Sequence, residues 1–122
     1  MRFTQDSTSA ANLIRAYRAG ELKINDTVFR DPVIVSASAI APGPEIGGVE
    51  ALRAAHAAPV LALEPELVLL GTGARQIFPA ASFGAQFLSA GIGFEVMDTS
   101  AACRTFNVLV GEHRRVAAML LV

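Results

Sequence analysis

The second half of the chain alternates between continuous apolar runs and segments with helical periodicity. Residues 67–70 and 92–97 are apolar runs with the length of buried strands. The stretch around residues 80–90 between them has one apolar helical face, and Gly91 suits the position just after a helix end. Strand, helix and strand in this order predict an α/β sheet with right-handed crossovers.

A second helix is predicted directly after the second apolar run. Asp98, Thr99 and Ser100 are of the types that cap helix N-termini, so we expect one of them to cap this helix. After a charged turn at residues 112–115, residues 116–122 are predicted to form an apolar C-terminal strand. The apolar residues of the helix recur at a spacing that gives one core-facing stripe: Ala102, Cys103, Phe106, Leu109 and Val110.

The first half of the chain is predicted to contribute mostly β-structure. Residues 22–24 and 27–29 flank a turn at residues 25–26, which is the pattern of a small hairpin. The β-branched run at residues 33–35 is apolar on both faces, which favours a central place in a sheet. Residues 13–17 fit either a helical face or a strand, and the pattern leaves both open.

Proline and glycine punctuate the middle of the chain. Residues 40–48 are rich in both and are predicted to form a loop. The Ala-rich stretch at residues 49–57 predicts a short helix. Residues 59–63 fit a helical turn opened by Pro59 or a strand, and the pattern does not decide between them.

These elements together predict an α/β fold with three layers. The expected architecture is a central mixed sheet with helices on its faces and an additional small β element from the N-terminal half. A chain of 122 residues fits one domain, which we expect to span residues 1–122, with residues 1–12 loosely ordered at its start.

Composition narrows the classes of function. Apolar residues make up 52% of the chain and charged residues 17%, so an apolar self-association surface is plausible and a homo-oligomer is left open. The net charge of −1 gives no electrostatic reason to expect a nucleic-acid partner. The single cysteine, Cys103, excludes an internal disulfide and a multi-cysteine metal cluster, and no metal or cofactor is expected.

Because no run of about eighteen apolar residues occurs, no transmembrane segment is expected. We predict a cytoplasmic location, or a mitochondrial one for a eukaryotic chain.

Three segments carry a resemblance to a known family. They are Leu-Leu-Gly-Thr-Gly at residues 69–73, Gly-Ile-Gly-Phe-Glu-Val-Met-Asp-Thr at 91–99 and Ala-Cys-Arg-Thr-Phe-Asn at 102–107. The chain resembles the small domain-of-unknown-function family that includes mitochondrial complex I assembly factor 3 and the adipogenesis-associated protein of the same fold. The resemblance covers residues 13–122 and is most specific from residue 67 onward. It implies a three-layered α/β fold whose last strand is antiparallel to its neighbours. It also implies a role in respiratory complex assembly through contacts with a protein partner, and it supplies no catalytic residue.

Polar residues at the two predicted turns form a candidate ligand-binding pocket. If the strands at residues 67–70 and 92–97 are parallel neighbours, the turns after them lie at the carboxyl edge of the sheet, where open α/β sheets bind ligands. Glycines in a turn allow close approach of a ligand, helix N-termini hold anions, and an Arg fork suits a carboxylate or phosphate. The candidate pocket consists of the following residues: Gly71, Thr72, Gly73, Asp98, Thr99, Ser100, Arg104 and Asn107.

Each part of this candidate pocket also has a structural explanation. The Gly-Thr-Gly turn lacks the further glycine of a dinucleotide fingerprint and the lysine of a phosphate loop, so it is also typical of a tight turn. Residues 98–100 also fit a simple helix cap, and Arg104 and Asn107 also fit a solvated helix face or structural hydrogen bonds. Cys103 is expected to be a small buried apolar residue because it lies next to core positions. As a nucleophile it would need a nearby base, and neither histidine has a spacing that implies catalysis.

The sequence favours a non-enzymatic protein that acts through protein–protein interaction. The reasons are the family resemblance, the missing catalytic constellation and the low charge. The alternative is a small-ligand or anion-binding protein, or an enzyme, that uses the loops at the carboxyl edge of the sheet.

Overall fold

The computed structural model describes residues 11–122, which form eight strands, three α-helices and two 3₁₀ turns. The strands are β1 Ile14–Arg18, β2 Glu21–Ile24, β3 Thr27–Phe29, β4 Val33–Ser36, β5 Ile40–Pro42, β6 Leu67–Thr72, β7 Gly93–Met97 and β8 Val116–Leu121. The helices are α1 Ala58–Leu61, α2 Ala81–Leu88 and α3 Thr99–Gly111, and the 3₁₀ turns are Val49–Ala51 and Ala54–Ala57.

The central sheet is mixed, as the sequence predicts, and has five strands in the order β5-β4-β8-β6-β7. Strands β6, β7 and β8 are parallel, whereas β4 is antiparallel to both β5 and β8. Strand β7 lies on one side of β6 and β8 on the other, so the crossover helices α2 and α3 cover opposite faces of the sheet. The predicted fold class, a mixed α/β sheet with helices on its faces and a small extra β element, is confirmed.

The expected orientation of the last strand is correct for only one of its neighbours. Strand β8 is antiparallel to β4, with Val33 opposite Leu120, but parallel to β6, with Leu67 opposite Val116. The reason is the helical connection, since a strand that returns to the sheet through a crossover helix such as α3 runs parallel to the strands before it.

Residues 14–29 form a separate antiparallel sheet in the order β1-β2-β3. The predicted hairpin of β2 and β3 is present, with Leu22 opposite Phe29 and Asn25 in the left-handed region at φ 53°. The ambiguous segment at residues 13–17 is part of strand β1, which pairs with β2. The buried side chains of Leu22 and Ile24 share a core with α3, so this sheet and α3 cover the same face of the central sheet.

Alternating side chains of the inner strands supply two cores. Val33, Val35 and Leu69 point to the face covered by α3, whereas Ile34 and Leu70 point to the face covered by α2. Burial on both faces explains why these strands read as continuous apolar runs, and it confirms the central place predicted for β4.

Several predictions for the middle of the chain require correction. The loop predicted at residues 40–48 begins with strand β5, which tolerates Pro42 because it is an edge strand. The helix predicted at residues 49–57 is two 3₁₀ turns, because Leu52 and Arg53 between them adopt extended backbone conformations. The ambiguous residues 59–63 lie in and just after α1, with Pro59 in its first turn.

The loose order expected for residues 1–12 falls mainly on residues 1–10, which lie outside the described part of the chain. Asn12 is held in place by hydrogen bonds. Its backbone N–H donates to Ala37 O at 2.8 Å, and its side-chain Nδ2 donates to Ser36 O at 2.9 Å. No helix among residues 11–122 combines the length and apolar character needed to cross a membrane.

Candidate functional site

The two predicted turns meet at one edge of the sheet. Strands β6 and β7 are parallel neighbours, with Gly71 opposite Met97, so the segments that follow them both leave from the carboxyl edge. The backbone N–H of Thr99 donates to Gly73 O at 2.9 Å, which joins the start of α3 to the turn after β6. The two predicted turns therefore form one structural junction.

The buried Thr99 side chain is the centre of this junction. Its Oγ1 accepts from the Gly73 N–H at 2.7 Å and donates to Leu121 O at 2.7 Å, so α3, β6 and β8 are held together by one hydroxyl. A Cβ on Gly71 would lie 2.9 Å from Thr99 Oγ1 and 3.0 Å from Leu120, so glycine is required here by packing. The hydroxyl hydrogen and one of the two lone pairs of Thr99 Oγ1 are thus engaged in bonds within the protein.

The Thr72 hydroxyl organises the loop between β6 and α2. It accepts from the Ile77 N–H at 3.1 Å and lies within hydrogen-bond distance of the carbonyl oxygens of Arg75 and Met97. Gly73 follows at φ 96°, a conformation that favours glycine. Thr72 and Gly73, both residues of the candidate pocket, therefore shape this loop.

Asp98 is the N-cap of α3. Its Oδ1 accepts from the Ala101 N–H at 2.8 Å, which satisfies one of the unpaired donors of the first helical turn. Further along the helix, Arg104 Nη1 donates to Ser100 Oγ at 2.8 Å, and both side chains are exposed. The Asp98 carboxylate at this helix start disfavours a second negative charge nearby.

Asn107 lies away from this edge and fixes β1 to α3. Its Oδ1 accepts from the Ile14 N–H at 2.9 Å, and its Nδ2 donates to the Ile14 carbonyl at 2.8 Å. Gly71, Thr72, Gly73, Asp98, Thr99 and Ser100 are therefore brought together, Arg104 extends outward from them, and Asn107 serves a structural contact. Ligand binding by these residues stays a prediction.

Sequence reasoning missed one residue that lies at this edge. The buried Oη of Tyr17 has no hydrogen-bond partner among residues 11–122. Burial raises the pKa of the Tyr17 phenol, and the nearby Cys103 and Asp98 raise it further, whereas the neighbouring Thr99 hydroxyl lowers it in part. In the sequence, Tyr17 stands out only as part of the ambiguous segment at residues 13–17. That pattern does not indicate which side chains surround Tyr17.

Cys103 has the character expected of a buried apolar residue. Its exposed fraction is 7%, and burial raises the pKa of the thiol to about 11. The thiol therefore stays protonated at neutral pH and is a poor nucleophile. Within residues 11–122, no group of three or more His, Cys, Asp or Glu side chains is placed to hold a metal ion.

A cleft lies elsewhere, at the opposite end of α3. It is an open cleft of about 810 Å³ with an apolar wall that includes Leu13, Leu63 and Val116 and a rim of His113, Arg114 and Arg115. None of the eight predicted pocket residues lines it. The sequence signal for this region was the charged turn at residues 112–115.

One rim residue of this cleft is already paired. Arg114 Nε donates to Glu66 Oε1 at 3.1 Å, and the Arg115 N–H donates to the same oxygen at 3.0 Å. These contacts, the backbone one first, lower the pKa of the Glu66 carboxyl. The pair ties the turn after α3 to the start of β6.

Comparison with known proteins agrees with the resemblance noted in the sequence. The “13 kDa major membrane protein” of Francisella tularensis subsp. holarctica is 28% identical over 122 residues, which cover 99% of each chain. The “NADH dehydrogenase (ubiquinone) 1 alpha subcomplex assembly factor 3” of Danio rerio is 34% identical over 119 residues, which cover 96% of this chain and 68% of that protein. The NMR structure of a Xanthomonas campestris protein superimposes with a TM-score of 0.85 at 36% identity and covers 100% of this chain and 92% of that one. Residues 14–121 match the family model described as “Protein of unknown function (DUF498/DUF598)”, and the chain belongs to that family.

Proposed function

We propose that this protein is an assembly factor that acts by binding a partner protein, as the resemblance implies. The observation that carries the proposal is the 34% identity, across 96% of the chain, to a protein named as an assembly factor of NADH dehydrogenase. The expected relationship to complex I assembly factors is thus present in the sequence, and the proposal adds the mode of action.

The chemistry of the carboxyl edge supports binding rather than catalysis. The hydroxyls of Thr72 and Thr99 and the carboxylate of Asp98 are engaged in bonds that hold the fold. The Cys103 thiol is buried and protonated at neutral pH. These are groups that stabilise a junction, and none is presented as an activated nucleophile.

Exposed apolar side chains support a role in protein contact. Phe78, Leu88 and Val108 are 71%, 61% and 59% exposed, respectively. Aromatic side chains such as that of Phe78 are enriched at the centres of protein interfaces, and burial against a partner would remove all three side chains from water.

The test is affinity capture from the source organism with the full chain as bait, followed by identification of the bound proteins. An unrelated bait of equal size is the control. We expect at least one protein to be enriched specifically and to persist at high salt, because an apolar contact is not screened by ions. Failure to enrich any protein at any salt concentration would contradict the proposal.

Parallel fractionation of the cells tests the predicted cytoplasmic location, since the Francisella relative is named as a membrane protein.

The alternative function is binding of a small ligand at the candidate pocket of the carboxyl edge. The observation that favours it is the buried Tyr17 Oη, which lies near Asp98, Cys103 and the Thr99 hydroxyl and meets no partner in good hydrogen-bond geometry among residues 11–122. A thermal-shift screen of phosphates, nucleotides and carboxylates tests it, since a ligand at about 100 times its Kd adds about 2.7 kcal/mol of stability. A flat screen leaves the protein-binding proposal ahead.

A further inference from the structure

Strand β7 is an edge strand whose outer backbone groups are largely unpaired. The Gly93 N–H donates inward to Glu66 O at 3.0 Å, and Met97 O also faces β6, where it meets Thr72 Oγ1. Since successive residues of a strand alternate in direction, the N–H and C=O groups of Phe94 and Val96 point away from the sheet. No strand among residues 11–122 pairs with this side of β7.

A side chain covers only one of these four groups. Gln76 Nε2 donates to Val96 O at 2.9 Å, so the loop after β6 wraps round the end of the edge. Two donors and one acceptor remain: the Phe94 N–H, the Val96 N–H and the Phe94 carbonyl. Such a row of unpaired groups is a template for an added strand.

The opposite edge of the same sheet is protected. Strand β5 has three residues, and Gly43 N–H donates inward to Pro32 O at 2.8 Å. By alternation, Ile40 and Pro42 face outward, and Pro42 has no N–H to offer. Strand β7 has five residues, none of them proline or lysine. The outward donors of β5 are thus reduced to the Ile40 N–H, so β7 is the more open of the two edges.

Apolar side chains accompany the open edge on the face covered by α2. Phe94 and Val96 are half-buried, and the Phe94 ring packs against Gly84, where an added Cβ would lie 2.8 Å from the ring. Leu88 lies one helical turn beyond Gly84 on this flank and is 61% exposed. Phe78 follows Gln76 closely in the chain, at the other end of the edge, and is 71% exposed. An added strand would cover these apolar groups.

Glu95 points to the opposite face and distinguishes between occupants. If two copies paired antiparallel with all five residues of β7 in register, Glu95 of one copy would lie directly opposite Glu95 of the other. Like charges directly opposite each other destabilise a strand pair, whereas a Lys or Arg there stabilises it. The charge therefore disfavours this in-register pairing of two copies and favours a basic residue on another chain.

We propose that the outer edge of β7 binds an extended segment of a partner protein by strand addition. The segment alternates apolar side chains, which contact Phe94, Val96 and Phe78, with a Lys or Arg opposite Glu95. This inference rests on the proposed function, because it gives the surface and the chemistry by which the protein would hold its partner.

The experiment selects octapeptides from a random phage-displayed library on the full chain and measures the affinity of the selected peptides as fluorescent synthetic copies. We expect enriched sequences to alternate apolar and polar residues with a central Lys or Arg. Binding should slow hydrogen exchange at the amides of Phe94 and Val96, because both N–H groups become hydrogen-bonded. Val96→Pro removes one outward donor and should weaken binding about tenfold.

Matched variants separate the edge from general effects on the fold. Ile40→Pro removes an outward-facing donor at the opposite edge and should leave affinity unchanged. Glu95→Lys should weaken binding of the basic peptides about fivefold and restore it for peptides with a central Glu. This charge swap remains informative if Val96→Pro fails to fold, which the urea midpoint of each variant reports.

Three outcomes would overturn the inference. They are a library with no enrichment, selected peptides that protect amides elsewhere, and a parent protein that sediments as a dimer dissociated by Val96→Pro. Affinity capture with the two baits distinguishes this failure from failure of the proposed function. If parent and Val96→Pro retain the same partner equally, the partner binds at another surface, and protein binding itself stands.

Discussion

The two faces of the central sheet are covered by helices that are fixed in different ways. Helix α3 is positioned by directional polar contacts: Asp98 caps it, Thr99 joins it to β6 and β8, and Asn107 ties it to β1. Helix α2 has no side-chain cap, and its Phe83 and Phe87 pack on each other and on Phe94, with ring centroids 5.3–5.7 Å apart.

This difference shows that one sheet can carry a helix fixed by hydrogen bonds on one face and a helix fixed by aromatic packing on the other. Hydrogen bonds fix the orientation of α3, while aromatic packing stabilises α2 mainly through buried apolar area. The open edge of β7 lies beside the aromatic face, where Phe94 belongs to both.

The largest expected effect is the loss of stability when a core phenylalanine is removed. Comparing one such variant from each face tests whether both cores are equally essential. Phe106→Ala beneath α3 and Phe87→Ala beneath α2 each remove a fully buried ring, so each should lower the free energy of unfolding by about 3–5 kcal/mol. Urea midpoints of both variants measure this. A much smaller loss for Phe87→Ala would mean that the α2 face collapses around the cavity, which would sharpen the contrast between the faces.

The next effect concerns the polar anchors that only the α3 face has. Asn107→Ala leaves the N–H and C=O of Ile14 without their partner and should lower the unfolding free energy by about 1–3 kcal/mol. Gln86→Ala on α2 is the control, since that side chain makes one exposed bond of 3.4 Å. Equal losses for the two variants would show that Asn107 is no special anchor.

Removing the cap of α3 and adding a cap to α2 should change the free energy of unfolding by about 1 kcal/mol each, in opposite directions. Asp98→Ala removes the cap of α3 and should destabilise by about 1 kcal/mol. Ala80→Asp supplies a cap to α2, whose N-cap backbone is already extended at φ −58° and ψ 143°, and should raise stability by up to about 1 kcal/mol. Thermal or urea melts measure both. Unchanged melting of Asp98→Ala would mean that Thr99 alone fixes the start of α3.

The smallest expected effect is that of Arg104→Ala. Its guanidinium donates to Ser100 on an exposed helix surface, so the free energy of unfolding should change by less than about 0.5 kcal/mol. Any effect should appear instead in the binding of a partner or anion. A loss as large as that of Phe106→Ala would make Arg104 a structural residue and remove it from the candidate pocket.

Local patterns predicted the regular part of the fold well. The hairpin at residues 22–29, the inner strands and both long helices follow from periodicity and turn residues, because these signals arise from groups close in sequence. The Ala-rich stretch at residues 49–57 failed as a helix prediction. Its backbone is instead set by local bonds, such as Arg53 N–H to His56 Nδ1 at 2.9 Å, which no apolar pattern records.

The sequence by itself determined which segments are buried strands, where α3 begins and which two turns could share an edge. It did so because burial and capping leave period and residue type in the chain. The tertiary structure alone decided that Asn107 faces β1, that Tyr17 lies beside Asp98, and that β8 is parallel to one neighbour and antiparallel to the other. It alone also decided that β7 is an open edge and β5 a protected one, because strand order depends on contacts between residues distant in sequence.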